Sequence, residues 1–141
     1  MRMNLTNPHN LAASVTPDHV LETNLITIYY YNDIVIAEAQ EGVTLSYETA
    51  FSILVKGLQY TFTKPFVYVS NRINSYSVNP NDYIYLEKIP TLKGIAIIAS
   101  SELSKKNAEL ELKFFNKPMV IFNTVPEGFQ WGKELLHSHN A

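Results

Sequence analysis

Residues 66–80 read FVYVSNRINSYSVNP, and the change of character halfway along that stretch decides the fold. Phe66, Val67, Tyr68 and Val69 are apolar and β-prone, as a buried strand requires. A mostly polar run follows: Ser70, Asn71, Arg72, Asn74, Ser75, Ser77 and Asn79, with Ile73, Tyr76 and Val78 between them. Asn79-Pro80 then reads as a helix start, with Asn79 as N-cap, Pro80 at the first helical position and Asp82 in the first turn. Strand, polar loop and helix in one short stretch form the unit of an alternating α/β chain. Such chains build parallel strands joined by right-handed crossovers.

The pattern extends in both directions. Upstream, Leu25 to Tyr30 is β-branched and aromatic, Asn32-Asp33 is a turn, and Ile34 to Ala39 returns, which predicts a hairpin. Gly42 breaks the pattern. Ser46 with Glu48 opens a predicted helix whose buried side is Tyr47, Ala50, Phe51, Leu54 and Leu58. Downstream of the opening stretch, Tyr83, Leu86 and Ile89, with Ile84, give a short helix its apolar side, and Pro90 ends it. Gly94 to Ala99 is apolar throughout, as a strand covered on both faces is. Ser100 or Ser101 caps a helix with Leu103, Leu110 and Phe114, near Ala108, on its buried side. Met119 to Phe122 is a further strand. Thr124 and Glu127 form a capping-box pattern before a closing helix carrying Phe129, Trp131 and Leu135. KPFVYVSN (64–71) and KPMVIFNT (117–124) echo each other, as one junction chemistry used twice.

Bulk properties bound the function. The 141 residues fit one domain, and 46% are hydrophobic, enough for an independent core. Residues 1–20 are expected to be a flexible lead, 21–137 the domain and 138–141 a tail. The net charge is −2 with the basic residues scattered, which disfavours nucleic acid. The absence of cysteine excludes disulfides and thiolate chemistry. The opening MRMNLTNPHNLAASVTPDH lacks the apolar run of a signal peptide, and no stretch has the length of a membrane helix. A soluble, cytoplasmic protein without membrane insertion is expected.

The order hairpin, then α-β-α-β-α-β-α, resembles the STAS domain, the fold of anti-anti-sigma factors, over about residues 22 to 136. FVYVSNRINSYSV is also similar to small STAS-like proteins of marine bacteria. The resemblance implies a mixed sheet with helices packed against it and a regulatory role by protein–protein interaction. In the anti-anti-sigma factors the loop after the third strand carries an Asp-Ser-Ser-Gly type motif. Its serine is phosphorylated by a kinase that is also the anti-sigma factor. Here the equivalent is Asn74-Ser75-Tyr76-Ser77, with the aspartate and glycine absent. The resemblance therefore makes Ser75 and Ser77 the candidate phosphoacceptors and a kinase-like anti-sigma factor a candidate partner. The fold is also related to SEC14-like lipid-binding domains, so a small-molecule or lipid carrier is the alternative.

Open α/β sheets bind at the crevice beyond the carboxyl ends of their strands. Three predicted strands end there in polar residues: Ser70-Asn71-Arg72, Ser100-Ser101 and Asn123-Thr124. The candidate partner- or ligand-binding residues are Asn71, Arg72, Asn74, Ser75, Tyr76, Ser101 and Thr124. Helix capping alone is the preferred account of Asn79, Ser101 and Thr124, and a surface ion pair is an even alternative for Arg72. Asn71, Asn74 and Ser75 are not needed as caps, so the expectation is that Asn71 to Ser77 project into solvent.

Catalysis lacks its parts. His9, His19, His137 and His139 all lie near the ends of the sequence, outside the expected core, so a Ser-His-Asp triad has no base. No metal site or cofactor is expected, because His137 and His139 alone fall short of the four ligands of a structural zinc. Most of the carboxylates fit polar helix faces, and no paired-acid signature stands out. The glycines are isolated, without a phosphate loop or dinucleotide fingerprint. Among the nine tyrosines, Tyr68 and Tyr83 are expected inside. One of Tyr29 and Tyr30 is expected at an exposed contact, since neighbours on a strand face opposite sides. A homodimer through that hairpin face is the corresponding expectation.

Overall fold

The computed structural model describes residues 9–45, 63–73 and 77–140. Within them lies a six-stranded sheet ordered β1-β2-β3-β5-β7-β8. Its strands are β1 (His19–Glu22), β2 (Ile26–Tyr31), β3 (Ile34–Ala39), β5 (Phe66–Asn71), β7 (Leu92–Ile98) and β8 (Met119–Phe122). The first three pair antiparallel. β3, β5, β7 and β8 then run parallel, side by side. A separate two-stranded pair, β4 (Thr44–Leu45) with β6 (Ser77–Val78), is also parallel. The α/β alternation read from the sequence is therefore present.

Local chemistry explains the elements. The β2–β3 turn puts Asn32 at φ 62°, a left-handed conformation that asparagine tolerates better than most residues. The helix α1 (Tyr83–Glu87) follows a short 3₁₀ turn, Pro80–Asp82, whose N-cap Asn79 accepts from the Asn81 N–H. The helix α2 (Glu102–Glu111) opens on a capping box between Ser101 and Ser104 and ends in the 3₁₀ turn Leu112–Phe114. The helix α3 (Val125–Asn140) opens with the Thr124 hydroxyl and N–H on Glu127. Lys117, from the second Lys-Pro junction, donates to the carbonyls of Ile89 and Leu92 and ties the start of β8 to the α1–β7 turn.

The sheet buries both faces, which is why β5 is buried at every position. On one face Ile28, Tyr30, Val35, Phe66, Tyr68, Ile95 and Ile97 pack with Tyr83 and Leu86 of α1, Ala108 of α2, and Phe115. On the other, Ile34, Ile36, Val67, Val69 and Ile98 pack with Val125, Phe129 and Leu136 of α3. Two glycines one turn apart let α3 approach closely. A Cβ at Gly128 would stand 2.7 Å from Ile98 Cδ1, and one at Gly132 3.2 Å from Val67 Cγ1.

Several expectations are corrected. Residues 9–20, read as a lead, contribute buried His9 and Leu11, and β1 begins at His19. The tail expected from 138 is helical through Asn140. The buried side of α2 is reversed: Ala108 and Glu111 are inside, whereas Leu103, Leu110 and Phe114 are exposed. Glu111 brings a polar group to the sheet-facing side, so hydrophobicity alone misplaces that helix. The helix expected after Ser46 lies outside the described residues.

Candidate functional site at the carboxyl ends of the parallel strands

β5, β7 and β8 end side by side, as expected. Their tips, however, are fastened inward. Consecutive side chains of a strand point to opposite faces, so Ser70 and Asn71 enter different layers, and each joins a buried polar network.

On the α2 face, Arg72 continues the Ser70 side. Its Nε donates to Ser70 Oγ at 2.7 Å. Its two terminal nitrogens make a bidentate pair with Glu111, at 2.9 Å to Oε2 and 2.7 Å to Oε1. Both side chains are only 8% exposed. The Tyr83 hydroxyl donates to Glu111 Oε1 as well. Burial, then the charge of Glu111, pushes the Tyr83 phenol well above its ordinary 10.0, against the opposing pull of Arg72. Fork-to-carboxylate geometry of this kind is the strong form of the arginine ion pair. It fixes the root of the loop after β5 to α2.

On the α3 face, Asn71 Nδ2 donates to Glu38 Oε2 at 2.8 Å. The same oxygen lies 2.7 Å from His9 Nε2. A carboxylate only accepts, so Nε2 carries a proton. The other ring nitrogen, Nδ1, meets the Tyr31 hydroxyl at 2.7 Å. The His9 side chain is 2% exposed and stacks edge-on against Tyr29. Burial, with Tyr29 and Glu38 nearby, pushes the Tyr31 phenol up to about 12.

These contacts relocate much of the expected site. Asn71 and Arg72 are inside and engaged, rather than projecting into solvent. Ile73, the next residue, is 61% exposed. Asn74, Ser75 and Tyr76 lie outside the described residues; Ser77 contributes its backbone to β6. Ser101 and Thr124 are exposed helix caps at the same rim. Tyr68 and Tyr83 are buried, as expected, and of the hairpin pair Tyr29 is the half-buried one and Tyr30 the buried one. The expectation of no core histidine fails at His9, because its partners Glu38 and Tyr31 come from strands distant in sequence. Among the described residues, no group of His, Asp and Glu could hold a metal ion, and no helix is long and apolar enough to cross a membrane.

No protein-family model and no curated protein matches the chain. Among solved structures it is similar to an uncharacterised protein of the DUF3478 family from Shewanella loihica PV-4, described as having a SpoIIAA-like fold. The two share 19% identity with a TM-score of 0.51, over 79% of this chain and 98% of the other. With its mixed six-stranded sheet and helices on both faces, this chain has the SpoIIAA-like, or STAS, fold.

Proposed function

We propose that the chain is a non-enzymatic regulatory domain that acts by binding another protein at the rim where β5, β7 and β8 end. The observation carrying this reading is the anchoring of the loop root. Arg72 and Asn71 are clamped to opposite layers, and the next residue, Ile73, is exposed and apolar. A rigid root presenting an apolar residue beside exposed Ser101 and Thr124 suits recognition of a protein surface, where an apolar centre sits inside a polar rim. Phosphorylation of Ser75 or Ser77 is the finer proposal. A phosphate adds about −1.5 to −2 charges at neutral pH and would make the rim more anionic.

The test compares the wild-type chain with Ile73→Asp as baits in a lysate of the source organism supplied with ATP. A partner recovered by the wild type and lost by the variant supports the reading. Equal recovery by both overturns the rim as the contact surface. Phosphopeptide mass spectrometry of the recovered wild-type bait should place phosphate within 70–79, and its absence there removes the switch. Native mass spectrometry that finds a retained small molecule on the purified chain would favour the carrier reading.

A further inference from the structure

The exposed side of α2 carries an apolar stripe that the chain's own core does not use. Leu103 is 70% exposed, Leu110 59% and Phe114 43%. Leu103 and Leu110 stand two turns apart on one face, and Phe114 continues the line in the following 3₁₀ turn. The opposite side of the helix is settled, because Ala108 packs in the core and Glu111 is held by Arg72. A flank of alternating charge runs beside the stripe: Glu102, Lys106, Glu109, Lys113, all exposed. Glu102 and Lys106, like Glu109 and Lys113, are one turn apart, yet among the described residues none of the four closes an ion pair.

We propose that α2 is a self-association surface, through which two copies of the chain pack antiparallel across a two-fold axis. The occupant follows from the order of the charges. In an antiparallel helix pair, each flank meets the same flank of the other copy running in the opposite direction. Seating Leu103 of one copy between Leu110 and Phe114 of the other interleaves the two stripes across the axis. The same register places Glu102 near Lys113 and Lys106 near Glu109. Every pairing is acid with base, and the two-fold repeats each one. A parallel pair would instead bring this flank against the opposite one, where exposed Asn107 offers no charge. One helix and its terminal turn form a small interface, so the association is weak and depends on concentration.

The experiment is sedimentation velocity on the full chain from roughly 10 μM to roughly 1 mM, a range suited to a small interface. The wild type should move from monomer towards dimer. Leu110→Asp should stay monomeric throughout, with an unchanged circular dichroism spectrum because the residue is exposed. Glu102→Lys or Lys113→Glu alone should weaken association by roughly tenfold, each reversal replacing two attractive surface contacts by repulsive ones. The double variant Glu102→Lys/Lys113→Glu should return to within about twofold of wild type, the residual expected from imperfect additivity. A wild type that stays monomeric at every concentration overturns the proposal and leaves the stripe to a different protein. A double variant as weak as the singles, or a Leu110→Asp chain that still dimerises, places the interface elsewhere and equally overturns it.

Discussion

Replacing Arg72 by methionine tests the buried anchor of the rim. Arg72 and Glu111 are each 8% exposed, so the substitution strands the Glu111 carboxylate in a low-dielectric site. Of its two donors, Arg72 and Tyr83, only the tyrosine hydroxyl stays. Breaking one side of a buried ion pair costs about 3–5 kcal/mol. For a domain of this size that lowers Tm by about 10 °C or more, and moves the urea midpoint by roughly 2 M at a typical m-value. A variant that removes the three ionisable members together, Arg72→Met with Glu111→Leu and Tyr83→Phe, leaves no stranded charge. It should recover to within about 1 kcal/mol of wild type, because buried ion pairs replaced by packed apolar groups are often neutral or better. Equilibrium urea unfolding followed by tryptophan fluorescence reads all three chains through Trp131. A single variant that loses less than about 1 kcal/mol would refute the reasoning, for that is the scale of an exposed pair. So would a triple variant no better than the single.

Three further outcomes are expected. His9→Leu should cost about 1–3 kcal/mol by leaving Glu38 and Tyr31 without a shared partner, and should speed amide exchange at residues 9–11; unchanged exchange would count against His9 as the tether. Stability should fall as pH rises past 10. The Tyr31 and Tyr83 phenols, held above their ordinary 10.0 in the folded chain, stay protonated there while the unfolded chain loses those protons. For Tyr31 that loss runs up to about 12, so Tyr31→Phe should flatten the fall in urea midpoint between about pH 10 and about pH 12. Gly94→Val should destabilise by about 2 kcal/mol or more through overpacking, since even a Cβ there meets Leu135 Cδ2 at 2.7 Å and the Pro118 carbonyl oxygen at 3.1 Å; thermal unfolding at or above the wild-type Tm would refute it.

Elements set by short-range chemistry were legible in the sequence. The hairpin, the strand at 119–122 and the caps at Asn79, Ser101 and Thr124 depend on alternation, turn residues and side chains that bond within three positions. What depends on distant partners was not. β5 runs on through Ser70 and Asn71 because Arg72 and Glu38 satisfy their side chains, and a polar pair after an apolar run gives no local sign of that. The inversion of α2 has the same origin: Glu111 is inside because an arginine thirty-nine residues away awaits it. His9 reads as terminal until Glu38 and Tyr31 close around it. β1 is short and half exposed, so its alternation is faint. At the candidate site, the strand tips were legible as a set. Their inward commitment was not, and it moves the exposed part of the loop to Ile73.

The placement of Ser70 and Asn71 on opposite sides of one strand ties its tip into both layers at once. The root of the loop cannot drift towards either layer without straining hydrogen bonds on the other. A disturbance of the segment around His9 and a disturbance of α2 therefore converge on the same two peptide units, though the two lie on opposite sides of the molecule.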